Sequence, residues 1–303
     1  MLKKGAELGV EALVTELMSI RPESSLVESR RILGPQILVI TNVRLDHRDE
    51  MGRTKPEIAH SLASAIPAAA AVFLPDEEFY PEFEEAAAKM NAKIVRVKKK
   101  GTGEGEPPRG ISPHLSFEAN IRLALSVSGH LGVQREAALR GILKAEPDFG
   151  SLKIWEAELG APPAHWLLIS VFAANEPEST GLVLDRLKKE LPFSGRALVG
   201  ILSFREDRGD RTLQWLRAAE QGYFRDFSRV FAVGGHVHTL RVRKGSSLFP
   251  PLIPLAAKSP AAIMREVVAE IRGRGVLIGM GNMGGLGEAL VGNWEKTGRP
   301  YAP

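Results

Sequence analysis

Apolar and polar positions along this chain follow two rhythms: short β-branched runs, and longer stretches with apolar residues three and four apart. The first rhythm predicts strands and the second amphipathic helices. In the first half, strands are expected at Glu11–Leu17, Ile37–Asn42, Ala69–Leu74 and Ala92–Val97. Helices are expected at Ser24–Leu33, Thr54–Ala65, Pro81–Met90, Ser116–Ser128 and Gln134–Leu143. Thr54 sits at a helix start as N-cap, with Pro56 in the first turn and Glu57 three residues after the cap. Residues 1–9 read as a helix tail or linker, and Lys98–Gly110 as a loop rich in Gly, Pro and charge.

The segment Glu146–Ser151 breaks the pattern, and a domain boundary is placed there. Beyond it, strands are expected at Leu152–Glu158, Trp166–Phe172, Ala197–Ser203, Arg229–Val233 and Val276–Ile278. Helices are expected at Ser179–Leu191, Thr212–Ala219, Pro260–Arg272 and Gly287–Trp294. Strand–helix alternation in both halves predicts an α/β fold of two doubly wound domains, residues 1–146 and 147–303.

Composition narrows the function classes. At 303 residues, 44% hydrophobic and 25% charged, the chain reads as an ordinary soluble globular protein large enough for two cores. Its net charge of +4 suits an anionic small molecule or an acidic polymer and is too small to argue for nucleic acid. The absence of cysteine excludes disulfides and a thiolate zinc site. No apolar run approaches membrane-spanning length, and the N-terminus has no signal-peptide core.

The candidate chemistry gathers where strands end, which is where open α/β sheets bind ligands. The run Ile37–Ile40 gives way to Thr41, Asn42, Arg44, Asp46, His47 and Asp49. If Glu16 meets Asp46 and His47 at one sheet edge, the set suits Mg²⁺ or Mn²⁺ completed by water. The plainer alternative is a capping Glu and a hydrogen-bonded His. Asn120, on a helix, has the donor and acceptor needed to read a purine edge, or faces solvent. Phe204–Arg211 carries Arg205, Arg208 and Arg211 after a strand; guanidinium forks suit phosphate or carboxylate, and a salt-bridged surface loop is the alternative. Asn175 follows another strand and either contacts a ligand or starts a turn, and Ser179 is a candidate cap for the next helix. Gly279–Gly284 matches G-x-G-x-x-G but leaves no room for the rest of a dinucleotide fold, so a tight glycine turn near a ligand is the better reading. His236 and His238 share a strand face without further marked zinc ligands.

The string TNVRLDH, with Glu16 upstream, resembles the T-N-x-x-x-D-H motif of the Mur ligase family. It is most similar to one branch, the ligase subunits of bacterial poly-γ-glutamate capsule synthases. The ordered set that carries this is E-x-M-x-x-x-P from Glu16, D-H-x-D-x-M-G from Asp46, Ile66–Pro67, N-x-x-x-A from Asn120, P-D-x-G from Pro147, F-A-A-N from Phe172, R-x-D-R-x-D-R-T from Arg205 and G-x-G-N-x-x-G from Gly279. The resemblance implies an ATP-dependent acid–amino acid ligase acting through an acyl phosphate, with Mg²⁺ or Mn²⁺ and a glutamate or glutamate-polymer substrate. By position, it implies Glu16 and His47 as metal ligands and Asp46 as a group that orients the site. It also implies nucleotide contacts from Asn42 and Asn120, and Arg205, Arg208 and Arg211 with Asn175 around ATP and the acyl phosphate.

Three departures from the family pattern matter. No G-x-x-G-K-[ST] phosphate loop occurs, and the chain is expected to begin after one. Leu62 falls near the place of a functional lysine in many Mur ligases. Lys153 stands where relatives often carry a cofactor-side Arg, keeping charge but losing the fork. A non-catalytic or partner-completed subunit, or a folate- or peptidoglycan-type ligase, are the alternatives. The expected location is the cytoplasm, peripheral to the membrane through membrane subunits of a capsule synthase.

Overall fold

A computed structural model describes residues 2–99, 118–145, 151–237 and 252–301. The expected loop from Lys100 onward, the P-D-x-G string with the expected domain junction, and His238 lie outside the described residues. The chain forms two compact units, one running to Leu143 and one from Lys144.

Unit 1 holds a three-stranded sheet of β1 (Ile37–Val39), β2 (Ala71–Pro75) and β3 (Lys93–Val97) in that order. All pairs are parallel, with Val39 opposite Phe73 and Phe73 opposite Val95. The helices are α1 (Leu2–Glu7), α2 (Pro22–Leu26, continuing as a π-helical stretch Val27–Leu33), α3 (Lys55–Ala63), α4 (Pro81–Lys89), α5 (Glu118–His130) and α6 (Arg135–Lys144). The α3 start forms as its sequence dictates: Thr54 accepts from the Glu57 N–H, and the Glu57 carboxylate accepts from the Thr54 N–H. Leu38, Ile40, Val43, Ile58, Ile66, Val72, Leu74 and Phe83 form the core.

The strand expected at Glu11–Leu17 does not form; the segment is irregular, and Val14 is 94% exposed. Its apolar pattern suits a strand, but a strand needs a hydrogen-bonded neighbour, and none of the described strands pairs with it.

Unit 2 holds a seven-stranded sheet in the order β10-β4-β5-β9-β6-β7-β8. Its strands are β4 (Lys153–Leu159), β5 (Ala164–Ser170), β6 (Ala197–Phe204), β7 (Arg229–Gly234), β8 (Leu252–Pro254), β9 (Gly275–Gly281) and β10 (Arg299–Pro300). β5, β9, β6, β7 and β8 are parallel; β4 and β10 add antiparallel pairings at one edge. Helices are α7 (Pro177–Glu190), α8 (Gly209–Glu220), α9 (Pro260–Ala269) and α10 (Leu286–Thr297). Along β5, Leu167, Ile169 and Val171 pack with α7 and α8, whereas Trp166, Leu168 and Phe172 pack with α9 and α10. The period-2 alternation therefore sorts one strand between two helical layers. β9 lies between β5 and β6, and its following helix covers the face opposite to theirs. The reversal of strand order expected of a doubly wound sheet is thus a feature of unit 2; the three strands of unit 1 run in sequence order.

Candidate functional site

In unit 1 the chain leaving β1 is latched before it reaches the polar cluster. Glu78, in the turn after β2, accepts from the Val43 N–H at 3.1 Å and pairs with the Arg44 guanidinium at 2.6 Å. Val43 is buried, so the loop is pinned by both packing and charge. Asp46 Oδ1 then accepts from the His47 N–H at 2.7 Å, and His47 takes a left-handed φ of 47°. A side-chain-bearing residue there is strained, and such strain concentrates at functional sites. The His47 carbonyl closes the turn by accepting from Glu50 and Met51. Asp46 Oδ2 lies 3.7 Å from His47 Nε2, both side chains partly exposed.

This carboxylate–imidazole pair can give a hydrated hard cation two protein ligands, leaving water and phosphate to complete the shell. It is not a full protein cage: among the described residues no group of three or more His, Asp or Glu stands close enough to hold a metal. Glu16 is exposed on the irregular segment, so the structure does not bring it into one ligand cluster with Asp46 and His47. Asn42 is exposed, its amide bonded to Thr41 Oγ1 at 3.3 Å, and Asn120 is exposed in the first turn of α5.

In unit 2 the candidate site residues among the described ones lie at the carboxyl edge of the parallel strands. Asn175 follows β5, Arg205 to Arg211 follow β6, and Lys153 opens β4 opposite Ser170. The β5–α7 connection is held from three sides. The Trp215 indole donates to the Asn175 carbonyl at 3.1 Å, and the Thr180 hydroxyl donates to the Ala174 carbonyl. Glu176, 3% exposed, caps α7 by accepting from Glu178 and Ser179 N–H groups at 2.6 Å each. The cap is therefore Glu176, not Ser179: a carboxylate one residue ahead of the first-turn proline reaches both orphan donors. Lys153 is tied to Glu295 of α10 at 2.8 Å.

The arginine-rich loop is internally neutralised. Arg205 forks onto Asp207 at 2.9 and 2.6 Å, and Arg208 meets Asp210 at 3.4 Å. The Arg205 bond holds the Asp207 carboxyl below its usual range; burial would raise Asp210, but the Arg211 N–H and Arg208 outweigh it. Arg211 is 1% exposed and is a core element of α8 rather than a surface fork. Arg205 also reaches the glycine turn after β9, where a Cβ on Gly284 would lie 2.8 Å from its Nη1.

Two further positions lie at this edge, and His236, expected on a strand face, stands instead in the turn after β7. Asn282, buried after β9, donates its backbone N–H to the Ser203 carbonyl at 2.9 Å. Its place inside the glycine string is the one clue available. His236, at the end of β7, contacts Thr212 of α8.

Residues 158–297 match the family described as the poly-gamma-glutamate synthase CapB C-terminal domain. The chain is 30% identical over 293 residues to a capsule biosynthesis protein CapB of Bacillus anthracis, covering 96% of this chain and 61% of that protein. It is 29% identical to a PGA synthase CapB of Bacillus subtilis, covering 96% and 72%. The chain thus spans about three fifths of the first relative's length and about seven tenths of the second's. A MurF ligase of Thermotoga maritima solved with ADP shares the fold at a TM-score of 0.58 and 14% identity, over 92% of this chain and 66% of that one. A bifunctional folylpolyglutamate/dihydrofolate synthase of Yersinia pestis, complexed with AMPPNP and Mn, does so at 0.58 and 16%, over 86% and 61%. The chain is therefore similar to CapB-type poly-γ-glutamate synthases over nearly its whole length, and its α/β fold is that of Mur-type ligases.

Proposed function

We propose that this chain carries the central and C-terminal parts of an ATP-dependent acid–amino acid ligase that extends γ-linked glutamate chains. One observation carries the reading: Lys153, Asn175 and the arginine-rich loop occupy a single edge of a sheet whose strand order reverses there, in a unit whose residues 158–297 match the CapB C-terminal domain. In the proposed reaction a substrate carboxylate oxygen attacks the γ-phosphorus of ATP, releasing ADP and leaving an acyl phosphate. The amine of the next glutamate attacks the acyl carbon and loses a proton. The tetrahedral intermediate expels inorganic phosphate, and an amide remains. Both transition states gather negative charge on oxygen, which guanidinium and ammonium donors stabilise. Arg205 and Arg208 supply those donors on exchanging their Asp207 and Asp210 partners for the ligand. Asn42 and Asn120 are the proposed nucleotide contacts. Asp46 and His47 would hold the divalent cation, which neutralises phosphate charge when bound; Glu16 is assigned no ligand role on this geometry.

The 303 residues contain no G-x-x-G-K-[ST], so on this reading turnover requires a phosphate loop from a further segment or subunit. A second reading is a non-catalytic subunit of a capsule synthase with membrane partners. Titration calorimetry with Mg-ATP separates the two. The ligase reading expects magnesium-dependent binding weakened at least tenfold by His47→Ala; binding that ignores magnesium and this substitution would sink it.

A further inference from the structure

We infer that His236 is a positioning residue that sets the arginine-rich loop, acting through Thr212 and Arg208; this rests on the proposed role of that loop in gripping phosphate. The turn after β7 reads Gly234-Gly235-His236. Both glycines are pressed against the start of the arginine loop: a Cβ on Gly234 would lie 2.2 Å from the Phe204 carbonyl oxygen, and one on Gly235 2.6 Å from the Glu206 nitrogen. The Gly235 N–H donates to the Phe204 carbonyl at 3.0 Å. The β7 turn and the root of the arginine loop therefore touch backbone to backbone.

The third residue is the anomaly. His236 has φ 60°, a region where glycine is at ease and a side chain is strained. A third glycine would fit the turn better, so the imidazole must return something for its strain. Its Nδ1 lies 3.2 Å from Thr212 Oγ1, and that hydroxyl also lies 3.3 Å from the Arg208 carbonyl. A hydroxyl has one proton. If Thr212 donates it to the Arg208 carbonyl, as in a helical back-bond, Nδ1 must carry the proton it gives to Thr212. That fixes the ring tautomer and makes a chain from His236 to Arg208, the residue just ahead of α8. The ring also lies beside Gly209, the first residue of α8, at 3.8 Å from where its Cβ would stand. The N–H of Thr212 bonds to the same Arg208 carbonyl, so the chain closes on the first turn of the helix. The imidazole thus governs where Arg208 sits relative to Arg205, two guanidinium groups that must reach one anion.

The test compares wild type, His236→Gly and His236→Asn; asparagine tolerates the same backbone region and can donate to Thr212. Three quantities are read: melting temperature, amide exchange across 205–212, and affinity for inorganic tripolyphosphate as a stand-in for the nucleotide's phosphates. The inference expects His236→Gly to melt within about 2 °C of wild type, since strain is relieved as the contact is lost. It expects its loop amides to exchange at least tenfold faster and its tripolyphosphate affinity to fall about tenfold or more. His236→Asn should restore exchange and affinity to within about threefold. Unchanged exchange and affinity in His236→Gly would overturn the inference. So would a fall in melting temperature with affinity that asparagine does not restore, which is a merely structural role. If wild type binds no tripolyphosphate, the phosphate-gripping role fails, and the exchange comparison alone still decides whether His236 sets the loop.

Discussion

A methyl group at position 234 has no space to occupy. Gly234 has φ 92°, and a Cβ there would meet the Phe204 carbonyl oxygen. Gly234→Ala is therefore expected to cost about 1–3 kcal/mol, read as a lower urea midpoint with unchanged slope. At this scale the sequence is uneven. The composition of the arginine loop and the string around Asp46 and His47 are visible as letters at strand ends. The cap from Glu176, the burial of Arg211 and the strain at His47 and His236 are not visible, because each depends on what the fold places beside the residue. Tyr223 makes the same point: burial, then the charges of Glu176 and Asp185, push its phenol above its ordinary range, while its ring packs on Trp215 at 5.4 Å. Trp215 in turn holds Asn175.

Helix ends are the places where local chemistry is worth most. Glu176→Ala removes the acceptor for two buried-side N–H groups of α7 and is expected to cost about 1–2 kcal/mol of unit 2 stability by urea unfolding. In unit 1 the tie between the β2 exit and α5 is the pair Arg122–Glu77 at 2.6 Å, with the Arg122 side chain buried. Burial would raise Glu77, but its own backbone bond and Arg122 outweigh this and hold the carboxyl below its usual range. A carboxyl depressed in the folded state adds stability that is present above the unfolded pKa of about 4 and is lost as pH falls through the folded value. Unit 1 is therefore expected to weaken below about pH 4, and the acid-induced loss should shrink in Glu77→Gln, measured by melting temperature against pH. Element prediction from sequence succeeded where a pattern carried its own punctuation: α3 with Thr54, Pro56 and Glu57, and α4 opened by Pro81. It failed at Glu11–Leu17, which has the right letters and no pairing strand among the described residues. β8 and β10, three and two residues long, are too short to show any period.

Each unit has a core of its own. Among the described residues, the clusters of unit 2 run from Leu152 to Tyr301 and that of unit 1 from Leu17 to Ile94. Residues 151–303 expressed alone are accordingly expected to unfold in one cooperative step, monitored by tryptophan fluorescence. Among the described residues no helix is long and apolar enough to cross a membrane. The α/β class was legible in the alternation of periods, and the strand-end rule located the candidate edge of unit 2 without coordinates. The metal set read from Glu16, Asp46 and His47 is not assembled among the described residues, because it needed Glu16 on a strand that does not form. The most direct test supplies the folded chain with a phosphate-loop-bearing subunit, ATP, magnesium and glutamate, and follows phosphate release together with γ-glutamyl amide formation. The account predicts stoichiometric release and amide formation, reduced about a hundredfold or more by Arg205→Ala at unchanged melting temperature. Amide formation that is indifferent to Arg205→Ala, or phosphate release with no amide, would contradict it.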